Sequence, residues 1–167
     1  KASFNLTISS SGVDLSPLTS ISSEIDKSSG LLILDVKASG SFDNPSATGQ
    51  IVLKDALFKI KSLRNEFNVS NALIELEGQK GFLRQTDIIS GKGKGTFEGQ
   101  IDVPTMTYDL QGNLQNFLVR PKGITAYLTG DLSLNGEGEK IEVGGKVTVA
   151  KARITIPEKQ EKEIEEI

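Results

Sequence analysis

Ile124-Thr-Ala-Tyr-Leu-Thr-Gly-Asp-Leu-Ser-Leu-Asn135 alternates without a break. Ala126, Leu128, Gly130, Leu132 and Leu134 fall on one side, and Thr125, Tyr127, Thr129, Asp131, Ser133 and Asn135 on the other. A sustained period of two reads as a β-strand with one apolar face and one wet face. The pattern recurs. Even positions Leu32, Leu34, Val36, Ala38, Gly40 and Phe42 oppose Asp35, Lys37, Ser39 and Ser41. Odd positions from Ile89 through Gly91, Gly93, Gly95, Phe97, Gly99 and Ile101 to Val103 oppose Lys92, Lys94, Thr96, Glu98, Gln100 and Asp102. Shorter runs behave alike at Phe4, Leu6 and Ile8, at Phe67 and Val69, at Ala72, Ile74 and Leu76, at Tyr108, Leu110, Gly112 and Leu114, and at Ile141, Val143, Gly145, Val147 and Val149. These predict an all-β chain of about ten strands in a mostly antiparallel meander, because the connections are too short for crossover helices.

One short helix is expected near 17–28, with Ser16 as N-cap, Pro17 in the first turn, Leu18, Ile21 and Ile25 on one face and Gly30 beyond the end. After Pro157 a charged tail, 158–167, places Glu158 and Lys162 at helical i, i+4 spacing. Residues 1–157 are expected to form a single β-domain. The chain opens at Lys1 and its only methionine is Met106, so it reads as a segment of a longer, repetitive β-protein.

An internal repeat supports that organisation. Gly49-Gln-Ile-Val-Leu-Lys-Asp-Ala-Leu-Phe-Lys-Ile60 aligns without gaps on Gly145-Lys-Val-Thr-Val-Ala-Lys-Ala-Arg-Ile-Thr-Ile156. In each copy the apolar positions slip phase once: Ile51 and Leu53 are odd but Ala56, Phe58 and Ile60 even, as Val147 and Val149 are odd but Ala152, Ile154 and Ile156 even. An extra residue that keeps apolar side chains on one face is a β-bulge, expected at Lys54 and Ala150.

The apolar face needs cover. At ~33 Å² per inward residue, about thirty positions make roughly 1,000 Å², and a twelve-residue helix shades only ~180 Å² of it. Soluble monomers seldom expose patches above ~300–600 Å². The sheet must therefore close as a barrel or sandwich, or curl into a trough that something apolar fills. The inward rows are rich in glycine and poor in aromatics, which favours bending over bulk.

Composition removes many functions. His and Cys are absent, so there is no His-based nucleophile pair, no common zinc site and no disulfide. The net charge of −3 belongs to the tail, which holds five Glu and two Lys, so the body is neutral with 17 charges of each sign. Together with two Tyr and no Trp, this argues against nucleic acid as a partner. Gly91-Lys-Gly-Lys-Gly-Thr96 lacks the spacing of a phosphate loop and reads as a glycine-bent strand. Glu75 and Glu77 share a strand face and read as solvated, and Asn5 and Asn68 sit in glycosylation-type triplets of chance-level weight. No catalytic residue, metal site or cofactor is expected.

The succession Leu34-Asp-Val-Lys-Ala-Ser-Gly-Ser-Phe-Asp-Asn-Pro45, the Gly49–Ile60 strand, Ser90-Gly-Lys-Gly-Lys-Gly95, Leu132-Ser-Leu-Asn-Gly136 and Gly145–Pro157 resembles the C-terminal domain of the TamB family, the inner-membrane-anchored part of the bacterial translocation and assembly module. That family is similar to the AsmA-like and bridge-type lipid transfer proteins. The resemblance implies a curled, taco-like β-sheet with a hydrophobic interior. It implies a periplasmic place in a diderm bacterium and a non-enzymatic role in carrying phospholipid. The implied partners are phospholipid, neighbouring segments of the same chain and an outer-membrane β-barrel of the TamA type. The alternative is a scaffold for outer-membrane protein assembly, working by β-augmentation. The residues expected to face lipid are Leu32, Leu34, Val36, Ile51, Leu53, Phe58, Ile60, Ile74, Leu76, Phe97, Ile101, Val103, Leu110, Leu114, Ala126, Leu128, Leu132, Leu134, Val143, Val147, Val149, Ile154 and Ile156.

Overall fold

The computed structural model describes residues 2–138 and 140–155. They form nine strands and one helical turn: β1 (Ser3–Asp14), α1 (Leu18–Ile21), β2 (Ile25–Ser41), β3 (Asn44–Ile60), β4 (Asn65–Gly78), β5 (Lys80–Ser90), β6 (Gly93–Asp102), β7 (Thr107–Val119), β8 (Ile124–Glu137) and β9 (Lys140–Ile154). The strands lie in one antiparallel sheet in sequence order, and β1 does not pair with β9. The sheet is a curled trough rather than a barrel. Buried apolar side chains are few, and four of them are alanines: Ala47, Ala56, Ala72 and Ala126. A sandwich core would require bulkier residues and a second layer.

Register places the predicted apolar face together. One transverse row, Leu34, Ile51, Ile74, Leu83, Gly99, Leu110, Leu134 and Val143, runs from β2 to β9 through successive cross-strand pairs. Directly paired residues in antiparallel strands point to the same side.

The expected bulges are present, one of them displaced and wider in extent. In the first copy Lys54 is paired on both sides, and the extra residue is Asp55, at φ 48. Register shifts between Ser29 and Leu31 and between Leu83 and Thr86 bracket the disturbance, with none between β3 and β4. Thus β3, β4 and β5 each switch inward phase once, β6 keeps its phase, and β2 keeps its own as far as Asp26, where a further shift lies between Ile25 and Lys27. In the second copy Val149 pairs with Leu128 and Lys151 with Tyr127, which leaves Ala150 over, as expected. The repeat also shares a bend. Gly49 and Gly145 have φ +126 and +118, and a Cβ there would stand 2.0 and 2.2 Å from the carbonyl oxygens of Asp35 and Asp131.

Two local expectations fail. The helix is four residues, not twelve. Pro17, not Ser16, sits at its N-cap, Ser22 is already extended, and Ile25 pairs with Ile60. Isolated helices of that length are marginal in water, and a serine-rich segment does better by extending the β2 ladder. The run Ile89–Val103 is not one strand. Ser90 pairs with Gly93 across a two-residue turn, Gly91-Lys92, in which only Gly91 has positive φ (+62), the sign pattern of a type II′ hairpin. Ile89 consequently lies on the outer face opposite Lys94, and Gly91 lines nothing inward. The sheet has nine strands among the described residues rather than about ten, and the charged tail and Ile156 lie outside them.

Candidate functional site

The concave face holds a cavity of about 560 Å³. Seven of the expected site residues line it: Leu32, Ile51, Leu53, Phe58, Ile60, Ile74 and Phe97. Phe67, Val69, Ala72, Leu83, Thr86, Ile88 and Phe117 complete it. Thr86 is the only polar side chain in that lining, and its hydroxyl is spent on the Arg84 carbonyl at 2.7 Å. The cavity therefore offers area and no unsatisfied polar group.

Most other expected residues share the face without lining the cavity. Pairing puts Leu34, Leu76, Ile101, Leu110, Leu128, Leu132, Leu134 and Val147 there. Val36, Leu114 and Ala126 are already covered by neighbouring protein. Val143, Val149 and Ile154 sit on β9, an edge strand with no opposing wall, and are 66%, 53% and 71% exposed. Val103 lies past the end of β6, where its N–H donates to the Gln79 carbonyl at 2.7 Å.

The trough is plugged beside β1 and β2. Leu15, held by its N–H to the Gly30 carbonyl (3.1 Å) and by Ser28 Oγ donating to its own carbonyl (2.7 Å), buries against Ala56, Val69 and Ala72. Leu18 of α1 packs on the same cluster. At that end the sheet is also clasped across three strands. Asn65 Nδ2 on β4 donates to Ser90 Oγ (2.7 Å) and to the Leu118 carbonyl on β7 (3.1 Å), and Ser90 Oγ donates to that carbonyl at 2.6 Å. The Arg120 N–H reaches the Leu63 carbonyl at 3.1 Å, and the rings of Phe67 and Phe117 stack with centroids 5.8 Å apart. Phe97 packs closely against glycine, since a Cβ on Gly112 would come within 2.5 Å of its ring.

Sequence reading missed Leu83, Ile88 and Phe117 because each lies beside a phase slip. Asn116, at φ 51, shifts Phe117 to the inward side after Leu114, and a period of two cannot be followed through such a residue. The outer face is polar, and several of its charges are paired. Arg84 Nε donates to Glu75 at 2.6 Å, Lys59 pairs with Asp26 at 2.9 Å, and Thr96 Oγ1 donates to Asp87 at 2.7 Å, which is the chief cause holding the Asp87 carboxyl below its usual range. Glu75 is thus half of an ion pair and not of a carboxylate pair.

An open antiparallel meander, curled around an apolar concavity and unpaired at both edges, defines a β-trough. The chain belongs to the TamB C-terminal domain family, whose model matches residues 79–167, just over half of the 167 residues. No curated protein and no solved structure matches it. The family is that of a periplasm-spanning component of a translocation and assembly system, and no described helix is long and apolar enough to cross a membrane. The matched segment starts in the β4–β5 turn, whereas the cavity takes walls from β2 through β7. Both halves build the site.

Proposed function

We propose that the chain is one stretch of a non-enzymatic conduit whose trough shields phospholipid acyl chains in the periplasm, in transit between inner and outer membrane. Neighbouring segments of the same protein continue the trough, and an outer-membrane β-barrel of the TamA type stands at its far end. The observation that carries this reading is the 560 Å³ cavity, whose lining is apolar but for Thr86, with the Thr86 hydroxyl already bonded to the Arg84 carbonyl. Its size lies within the ~300–1,000 Å³ usual for ligand sites. Each methylene moved from water onto such a surface gains about 0.8 kcal/mol, and no pair of groups is needed. Photo-crosslinking residues at Leu32, Leu53 and Phe97 in the full-length protein should capture phospholipid in cells, while those at Asp35 and Glu98 should not. Equal absence of lipid adducts from both sets in a functional protein would overturn the conduit.

A second reading has its own observation. The edges β1 and β9 carry unpaired backbone beside exposed Leu6, Ile8, Ile141 and Val143. Such edges can capture client strands, which favours a scaffold in outer-membrane protein assembly. Backbone crosslinks from β9 to a client strand, with none from the cavity to lipid, would select it.

A further inference from the structure

A second cavity, of about 840 Å³, lies at the clasped end of the sheet, where the β3–β4 and β7–β8 turns meet the end of β9. Arg64 from the β3–β4 turn and Arg120 and Lys122 from the β7–β8 turn line it, with Pro121, Ile124 and Ile154 as its apolar part and no carboxylate among its lining residues. Four cations on the strands are partnered: Lys27 with Glu66, Lys59 with Asp26, Arg84 with Glu75 and Lys94 with Asp87. None of the three in this cavity forms an ion pair among the described residues. Backbone bonds hold the arrangement. The Arg64 N–H donates to the Ile60 carbonyl (2.8 Å), the Arg120 N–H to the Leu63 carbonyl (3.1 Å), and the Thr155 N–H to the Gly123 carbonyl (2.8 Å). The two turns and the end of β9 are thereby tied around one concavity.

Gathering three like charges without a counter-charge is unfavourable until an anion joins them. Guanidinium forks match phosphate oxygens two at a time, which a lone ammonium cannot do. Beside them Ile124 and Ile154 are 41% and 71% exposed, so an anion carrying an apolar chain is served better than a bare ion. We propose that this cavity binds a phosphate group, with Arg64, Arg120 and Lys122 taking its oxygens and Ile124 and Ile154 the first part of an attached apolar chain. The proposal rests on the charges of this cavity and holds whether or not acyl chains ride in the trough, so the two readings fail separately.

The test uses the whole chain, with inorganic phosphate followed by amide chemical shifts in one arm and flotation with phosphatidylglycerol or phosphatidylcholine vesicles in the other. Wild type should bind phosphatidylglycerol vesicles. Arg64→Gln, Arg120→Gln and Lys122→Gln should each weaken binding about fivefold, and the triple variant about a hundredfold, the loss expected at ~1 kcal/mol per basic residue at an anionic surface. Lys37→Gln, on β2, should leave binding unchanged, and all variants should keep the wild-type unfolding midpoint. Phosphate-induced shifts at Arg64 and Arg120 that vanish in the triple variant identify the phosphate itself as the recognised group. Vesicle binding without them identifies the lipid headgroup with its chain. The same measurements on a variant with Glu158, Glu161, Glu163, Glu165 and Glu166 changed to Gln prevent internal competition from hiding the site. If neither probe binds in either background, or if the triple variant binds like wild type, the proposal is overturned.

Discussion

Replacing Gly49 with alanine would put a methyl carbon 2.0 Å from the Asp35 carbonyl oxygen, at a residue whose φ is +126. Two costs combine. Holding a non-glycine residue in that region costs about 1–3 kcal/mol. Relieving the contact means moving β3 off β2 by more than an ångström at the Val36–Gly49 pair, which loses local ladder bonds worth about 1 kcal/mol each. The sum is about 3–5 kcal/mol, in the range that marks a specific structural fault. At roughly 2–4 °C per kcal/mol for a domain of this size, the unfolding midpoint should fall by about 10 °C. Gly145→Ala should do the same, because its Cβ would stand 2.2 Å from the Asp131 carbonyl oxygen in the second copy of the repeat. Gly138→Ala is the control: φ is +58 but nothing lies within 4 Å, so only the conformational cost of about 1 kcal/mol remains. Differential scanning calorimetry reads all three. Equal shifts at Gly49 and Gly138 would refute the claim that close approach of neighbouring strands, and not turn conformation alone, fixes these glycines.

Deleting Asp55 should turn Ala56, Phe58 and Ile60 away from the trough, and deleting Ala150 should do so to Ala152 and Ile154, since a one-residue slip reverses every side chain beyond it; an unchanged thermal midpoint would count against the extra residue. Asn65→Ala removes two donated hydrogen bonds but also a buried carbonyl oxygen that has no partner, so the loss should be only about 1–2 kcal/mol in denaturant midpoint, with faster amide exchange at Leu118. Losing more than 4 kcal/mol would show that the clasp works through something else. Thr96→Val should raise the Asp87 pKa toward its ordinary 3.8, readable by carboxyl NMR. Because the folded pKa is depressed, the contribution is present above pH 3.8 and lost as pH falls through the folded value, so the gap between wild type and variant should close in acid.

Most of the face was legible before any coordinates, because alternation survives wherever a strand keeps one phase. Leu32 to Gly40 and Ala126 to Leu134 hold theirs throughout, and both lie as read. The repeat was legible for a related reason: two copies of one slip, Gly49–Ile60 and Gly145–Ile156, are harder to produce by chance than one. What escaped depends on partners distant in sequence. Ile25 follows a helical spacing, yet its place is decided by Ile60 across the sheet. Gly91 continues an alternating run, yet its φ of +62 makes it a turn. Leu15 carries no periodic signal at all and is still buried in the cluster with Ala56, Val69 and Ala72.

The clasp and the phase slips together account for the bend of the sheet near Asn65. Three adjacent strands with one extra residue each gain local twist and bend, and that bend brings β4 close enough to β7 for Asn65 to reach Leu118. No comparable link crosses the opposite end among the described residues, where Phe42 is 81% exposed. Curvature is therefore set by backbone positions, by Gly49, Gly145, Asp55 and Ala150, while the lining is interchangeable. A Leu32→Val change removes about one methylene of contact, ~0.8 kcal/mol, from a surface shared by many residues. A methyl added to Gly49 closes no contact with any cargo and should still do more harm, because it alters the shape that all of those residues depend on.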